Sequence, residues 1–350
     1  MKRIGNLYSK IYDMENLKLA HKNARKGKSF YKEVKMVDEN PDYYLGEIQK
    51  MLINKTFKTS EYETFVKQEN DKERVIYKLP YYPDRIVQWA ILQVLEPILM
   101  KNLTADTYSA IPNRGIHYGL KRLKRDIKTD KKGCMYCLKF DISKYYPSID
   151  HELLKQKYAR LIKDNDVLDI LNKIIDSTES GIPIGNYLSQ WSGNLFLSQF
   201  DHWIKEVIGI KHYHRYMDDI VIFHSSKLFL HELKIRAERF LAMEKLEMKN
   251  NWQIFPTFIR GLDFIGYRIF DGYILLRKRT CKNLKRKLLN IWKKVRHDKL
   301  MNYHEWASIN AYTGWLKWCN SYRLMQKYVK RLLPHMTKYY IINIKKGVLV

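Results

Sequence analysis

Residues 1 to about 70 are mostly polar and helical in character, with a turn near Asn40-Pro41. The pattern then shifts. Arg74-Val75-Ile76-Tyr77 reads as a strand leaving a basic hairpin, and Leu79-Pro80 and Pro83 mark a turn. A helix is expected from Asp84 as its cap through Trp89 to Leu95, with an apolar stripe at 3–4 spacing that belongs in the core. Tyr108 to Gly115 is a loop feeding a basic helix around Leu120 to Arg125. Cys137-Leu138-Lys139-Phe140 reads as a buried strand ending at Asp141, and Pro147 bars the strand from continuing. Helical segments run to about Ser177, followed by a loop from Gly181 to Gln190 and a helix ending near Val207. His212 to Arg215 and Ile220 to Phe223 are rich in β-branched and aromatic residues, so they read as two strands with Met217-Asp218 at the tip of a tight turn. An amphipathic helix at roughly 226–246 comes next, then strand-like segments around Phe264 to Arg268. From Arg277 a basic helical region extends to about Leu333. No low-complexity linker or solenoid-period repeat interrupts the chain.

Two places in this pattern carry chemistry. The adjacent carboxylates Asp218 and Asp219 sit at the hairpin turn, and Asp141 sits where a distant strand ends. An Asp-Asp pair alone is commonly just an exposed turn. Joined by a third strand-end carboxylate it forms a plausible two-metal cluster. Mg²⁺ takes few protein carboxylates and completes its octahedron with water and substrate phosphates. Two such ions about 3.5–4 Å apart would activate an attacking 3′-hydroxyl and stabilise departing pyrophosphate.

Composition agrees with a polyanionic partner. The chain has 64 Lys+Arg against 37 Asp+Glu, a net charge of +27 and a pI near 9.7. Its 350 residues, 45% hydrophobic, suffice for a large core divided into two or three subdomains. No stretch approaches about 18 uninterrupted apolar residues, so no membrane span is expected. Met1 to Asn6 lacks an apolar signal region, so a cytoplasmic mature protein is expected. Four cysteines fit a reducing compartment. Cys134 and Cys137 form a C-x-x-C, but residues three apart on a strand face opposite ways and no second pair completes a tetrahedral set, so core packing explains them better than zinc.

From about residue 50 to 330 the order of elements resembles the fingers–palm–thumb layout of reverse transcriptases: basic hairpin, Asp strand, glycine loop with helix, Tyr216-Met217-Asp218-Asp219 hairpin, Gly266-Tyr267 strand pair and basic helices. The resemblance implies an α+β right-hand polymerase with an antiparallel palm sheet and a helical thumb. N-terminal helices and fingers would occupy 1–130, the palm 131–275 with a helical insertion at about 151–185, the thumb 276–335, and a C-terminal tail 336–350. Most bacterial members carry Gln-Gly where this chain has Ile184-Gly185, followed here by Ser189-Gln190. That Ile-Gly-x-x-x-Ser-Gln pattern, with Gly181 to Gly185, Arg215 to Val221, Phe264 to Ile269 and a compact size in which no fused RNase H or endonuclease domain is expected, is similar to reverse transcriptases of diversity-generating retroelements. Such an enzyme of bacterial, archaeal or phage origin would copy a template-repeat RNA into cDNA using dNTPs and two Mg²⁺ ions, with Mn²⁺ as a substitute. It would misincorporate opposite adenine and work with a small, helical, oligomeric accessory variability determinant protein.

Residue roles follow from the same resemblance. Asp141, Asp218 and Asp219 would be catalytic and, with the Ile142 backbone carbonyl, would hold metal. Lys72, Arg74, Ser143, Lys144, Tyr146, Gln190 and Lys249 would bind the dNTP. Arg suits bidentate phosphate recognition; the alternative for Arg74, and more so for Lys72, is a solvated hairpin charge. Tyr146 is either an aromatic gate that collides with a 2′-hydroxyl or ordinary core. Lys249 is either a general acid for pyrophosphate or a surface lysine. Arg114, Ile184, Gly185 and Gln190 would meet the template and nascent pair, with Gly185 allowing close backbone approach. Phe264, Gly266 and Tyr267 would form a primer grip or plain palm packing, and Lys285, Arg286 and Lys287 a nucleic-acid-binding thumb face. Trp315, Trp318 and Tyr322 are expected in the thumb core. Two other readings remain: a defence-associated (abortive-infection type) reverse transcriptase, and a non-catalytic RNA-binding polymerase relative.

Overall fold

The computed structural model describes residues 2–69 and 72–345; the side chain of Lys72 and the last part of the expected C-terminal tail, from 346 on, lie outside the described residues. Four helices come first: α1 (Tyr8–Ile11), α2 (Met14–Ala24), α3 (Lys32–Glu39) and α4 (Pro41–Ile53). The Asn40-Pro41 turn starts α4, because the Asn40 side chain accepts from Tyr43 N–H and Pro41 supplies a first helical residue that needs no donor. Strands β1 (Glu63–Glu69) and β2 (Lys72–Lys78) form the expected antiparallel hairpin, with Phe65 opposite Ile76 and Lys67 opposite Arg74.

Helix α5 (Ile86–Asn102) follows, apolar on nearly every side and buried accordingly, as Ile86, Ala90, Ile91, Leu92 and Leu95 attest. The sequence placed Asp84 as its cap, and the structure corrects this. Asp84 is fully buried within the turn Tyr81–Arg85 and caps nothing; it accepts the Ser60 backbone N–H at 3.0 Å and the Ser60 hydroxyl at 2.6 Å. A buried carboxylate has to find donors, and the upstream chain supplies them.

Next come α6 (Ile116–Thr129), β3 (Tyr136–Asp141), α7 (His151–Leu161), α8 (Asn165–Ile175), α9 (Tyr187–Phe196), α10 (Ser198–His202), β4 (Tyr213–Tyr216), β5 (Asp219–His224), α11 (Lys227–Met243) and β6 (Gln253–Pro256). The order β4-β5-β3-β6 makes a four-stranded sheet. Then α12 (Thr257–Arg260) leads to a three-stranded antiparallel sheet of β7 (Leu262–Phe264), β8 (Tyr267–Ile269) and β9 (Ile274–Leu276). Helices α13 (Lys278–Val295), α14 (Tyr303–Leu316), α15 (Tyr322–Leu324) and α16 (Leu333–Lys345) complete the described chain, so residues 336–345 of the expected tail are helical.

The chain forms two compact units. One comprises Met1–Gly115, Lys139–Ile222 and His231–Gln253, the other Ile116–Leu138, Phe223–Leu230 and Ile254–Val350. The first has its core around Phe140, Trp191, Leu195, Phe196, Ile220 and Val221. The second buries Leu284, Leu288, Ile291 and Val295, one face of α13. Cys134 and Cys137 are both buried; Cys134 precedes β3 rather than lying on it. Among the described residues no helix is long and apolar enough to cross a membrane.

Candidate active site

Strands β4 and β5 pair from Tyr213 opposite Ile222 to Tyr216 opposite Asp219, leaving Met217 and Asp218 as a two-residue turn. Met217 takes a left-handed φ of 57°, unfavourable for a side chain with a Cβ. It is held there: its side chain is buried, and its sulfur accepts the Tyr146 hydroxyl at 3.6 Å. The turn therefore presents Asp218 and Asp219 from a fixed backbone. Asp141 ends β3, two strands from β4 with β5 between.

The three carboxylates feel one another. Burial lifts the Asp218 carboxyl above the usual range, Asp141 adds repulsion, and the cations Lys249 and Arg74 oppose the shift. Burial also pushes Asp219 up to about 7, with Asp141 and Asp218 raising it and Lys139 pulling it down. Lys139 Nζ lies 3.2 Å from Asp219 Oδ1 and 3.3 Å from Oδ2, while Lys249 Nζ lies 4.0 Å from Asp141 Oδ2. Asp219 Oδ1 is buried and makes no hydrogen bond; its contact with Lys139 is purely ionic. Two buried carboxylates with raised proton affinity beside a third, Asp141, suit a bound cation, and all-oxygen donors suit a hard one such as Mg²⁺. The donor set fits. The side chains are nonetheless not drawn into a ready cage, since among the described residues no three His, Cys, Asp or Glu groups converge on one point.

Just beyond β3, Ile142 faces Met248 in an antiparallel bridge whose two bonds are made by neighbours: Ser143 N–H to Glu247 O (2.7 Å) and Lys249 N–H to Asp141 O (2.9 Å). This pattern turns the Ile142 carbonyl away from residues 247–249, leaving it available as a ligand. The same bonds fix Lys249 beside Asp141. The Ser143 N–H is committed to Glu247. Lys144 is exposed with φ 41°. Tyr146 is half-buried, and burial lifts its phenol above the ordinary range, so it stays a neutral hydroxyl.

Arg74 is exposed on β2, close enough for its charge to act on Asp218. Tyr77 N–H donates to Ile184 O at 2.9 Å. Gly185 has φ 133°, and a Cβ there would come within 2.2 Å of the Tyr77 carbonyl oxygen, so the close approach is to the chain's own β2. Ile184 is half-buried and Gln190, in the first turn of α9, is exposed. Arg114 donates to the carbonyls of Thr104 (2.6 Å) and Thr107 (3.1 Å), which engages it in bracing a loop.

The remaining expected residues lie in the second unit. Phe264 and Tyr267 are fully buried across the Ile265-Gly266 turn, and the Tyr267 hydroxyl donates to Trp315 O. A Cβ on Gly266 would strike the Trp315 ring at 2.4 Å. Their side chains are packing, so a grip there would be made by backbone. On α13, Arg286 lies opposite the buried Leu284 and Leu288, with Lys285 and Lys287 on its flanks; Arg286 and Lys287 are exposed and Lys285 is half-buried. Trp318 stacks on His117. Tyr322 corrects its expectation: it is 76% exposed and takes no part in the core.

Arg215, Asp201 and Asn194 were missed as a group from the sequence. All three are buried beneath the hairpin turn. The available signal was a cation inside an otherwise apolar and aromatic strand, which has to meet an acid or it would not be buried.

A family model described as reverse transcriptase (RNA-dependent DNA polymerase) matches residues 65–269. Protein YkfC of Escherichia coli K12 is 27% identical over 154 residues, 41% of this chain and 40% of that protein. Group II intron-encoded protein LtrA of Lactococcus lactis subsp. cremoris is 24% identical over 153 residues, 41% of this chain and 25% of that protein. The match thus spans less than half the length of either relative. Among solved structures, a telomerase from Candida albicans in complex with a fragment of telomeric RNA aligns with a TM-score of 0.50 at 12% identity, covering 71% of this chain and 55% of that one, a likeness of fold.

Proposed function

This chain belongs to the reverse transcriptase family, and on that premise we propose that it is an RNA-directed DNA polymerase of the diversity-generating retroelement type. The observation that carries the catalytic reading is the grouping of Asp141, Asp218 and Asp219 at the ends of adjacent strands, where burial first and the neighbouring carboxylates second raise the proton affinity of Asp218 and Asp219. A protein that only bound RNA would gain nothing from carboxylates near phosphates. Asp141, Asp218, Asp219 and the Ile142 carbonyl would hold two Mg²⁺ ions, which supply a lowered pKa for the primer 3′-hydroxyl and charge neutralisation at pyrophosphate. The bond made is 3′-oxygen to α-phosphorus and the bond broken is α-phosphorus to the bridging oxygen of pyrophosphate.

Around that centre the chain's own groups have distinct tasks. Arg74 and Lys72 on β2 contact the triphosphate, Arg74 in the bidentate manner that a planar guanidinium permits. Lys249, anchored through its backbone to Asp141, gives a proton to the leaving pyrophosphate, a contribution of roughly 10²–10⁴-fold. Tyr146, tied to Met217, fills the space beside the sugar and excludes a 2′-hydroxyl. In this reading residues 1–130 form the N-terminal helices and fingers, 131–275 the palm and 276–335 the thumb, where Lys285, Arg286 and Lys287 follow backbone phosphates.

The retroelement subtype rests on Ile184-Gly185 with Ser189-Gln190. With it come a template-repeat RNA, a small accessory protein, a cytoplasmic setting and misreading of template adenine. The test is to extend a DNA primer on a defined RNA with all four dNTPs and Mg²⁺ and to sequence the cDNA. Errors concentrated at template adenine support the subtype. Uniform errors at all four bases would remove it and favour the defence-type enzyme.

A further inference from the structure

We propose that Arg215 and Asp201 form a buried clamp that positions Asp218, setting turnover without touching substrate or metal; the inference rests on the polymerase reading above. Both residues have zero solvent exposure. Arg215 Nε donates to Asp201 Oδ1 at 2.7 Å and Nη2 to Oδ2 at 2.6 Å, a two-pronged pairing. Asp201 is further satisfied by the Tyr213 hydroxyl (2.6 Å) and the Thr107 hydroxyl (3.1 Å). The Arg215 backbone is pinned as well, its N–H donating to Asp106 O at 2.9 Å and its carbonyl accepting Tyr108 N–H at 3.1 Å.

One nitrogen, Nη1, does not touch the acid. Nη1 reaches the Met217 carbonyl at 3.1 Å, with a long contact to Asn194 Oδ1 at 3.4 Å, while Nη2 also touches Asn194 O at 3.2 Å. Met217 is the turn residue with φ 57°, and the next residue is Asp218. A residue held in a sparsely populated conformation persists only where its surroundings over-determine it. Here the carbonyl is held from below by Arg215, and the side chain packs against α9, where a Cβ on Gly193 would sit 3.2 Å from the Met217 sulfur.

Stability alone does not account for the pair. A buried ion pair is often matched or exceeded in stability by well-packed apolar residues of the same volume. What apolar residues cannot provide is a donor to the Met217 carbonyl. The geometry therefore assigns Arg215 a positioning role, with Asp201 fixing the guanidinium so that one N–H points at the turn.

The test replaces both partners together, Arg215→Met with Asp201→Leu, in the full chain. The double variant should melt within a few degrees of the unmodified protein and bind template–primer equally well. Its kcat should fall on the order of 10²-fold, the cost of a misplacement near 1 Å, with dNTP KM little changed. Backbone amides of 217–219 should exchange with solvent faster by hydrogen-exchange mass spectrometry. Arg215→Lys is the second arm: one ammonium keeps Asp201 paired but lacks the fork that also reaches Met217, so it should fold and still lose turnover. Unchanged kcat in either folded variant, or unchanged exchange at 217–219 in the double variant, overturns the clamp. A wild-type chain without polymerase activity whose turn still loosens in the double variant would sink the functional reading while supporting the clamp.

Discussion

The β4–β5 hairpin and the segment Gly181–Gln190 both carry proposed site residues, yet they are held in place by opposite means. The hairpin rests on buried charge: Arg215 and Asp201 are paired at 2.6–2.7 Å beneath a turn whose residues have few alternatives. The glycine segment rests on backbone contact. Gly181 and Gly185 have φ of 63° and 133°, and a Cβ at either would collide with backbone, of Pro147 at 2.5 Å and of Tyr77 at 2.2 Å. The Ile182 N–H donates to Tyr146 O, and the Tyr77 N–H to Ile184 O. This leaves the side chain of Ile184 half-buried and that of Gln190 exposed. Where atoms must be placed for chemistry, side chains are locked from beneath. Where the proposed function has the nascent pair inspected, the backbone is fixed and the side chains project.

The largest effect should come from the hairpin side. Asp141→Ala or Asp218→Ala should lower nucleotide incorporation by roughly 10³-fold or more, since several kcal/mol of transition-state charge stabilisation is lost. RNA affinity in a filter-binding assay should stay nearly constant, because it comes mainly from Lys and Arg on phosphates. Substantial incorporation by Asp218→Ala would show that the hairpin is not the chemical centre.

Gly185→Ala comes next. The added methyl cannot coexist with the Tyr77 carbonyl at its present distance, so the loop or β2 must shift. Incorporation efficiency should drop roughly 10–100-fold, as expected for a displacement near 1 Å. Amide exchange should rise at 76–78 and 184–186 but not at 217–219. Loosening of both regions together would erase the distinction between them.

Tyr146 bridges the two regions, its hydroxyl on Met217 and its carbonyl on Ile182. Tyr146→Val should raise the ratio of ribonucleotide to deoxyribonucleotide incorporation, measured in paired single-nucleotide extensions, by about tenfold, near 1.4 kcal/mol. A ratio equal to wild type would make Tyr146 plain core.

The smallest effects belong to the projecting side chains. Ile184→Ala and Gln190→Ala should alter error frequency at template adenine more than at the other three bases, by a factor of a few, in line with the modest discrimination that one pocket contact supplies. Equal changes at all four bases would detach these residues from template reading.

What the sequence revealed and concealed follows the same division. The β4–β5 hairpin was legible because its signal is local: β-branched and aromatic strands flanking two turn residues. The carboxylates were legible because acids at strand ends are uncommon in buried company. Asp84 was misread because a local rule, acid before helix, competes with a buried interaction to Ser60, which no helix pattern encodes. Gly185 was expected to allow close backbone approach; the approach the structure shows is to Tyr77, more than a hundred residues upstream, which only folding brings near. Tyr322 shared helical spacing with Trp315 and Trp318, but the helix ends at Leu316, so the shared face does not continue.

The central claim, that these carboxylates carry out RNA-templated DNA synthesis, is tested most directly by single-turnover primer extension on RNA templates differing only in the templating base. Purified wild-type protein is compared with Asp218→Ala at equal template–primer occupancy in Mg²⁺. The expected result is incorporation in the wild type of mainly the complementary dNTP, with the highest misincorporation opposite adenine, and almost none in the variant. Incorporation that ignores the templating base, or that survives Asp218→Ala, would contradict it.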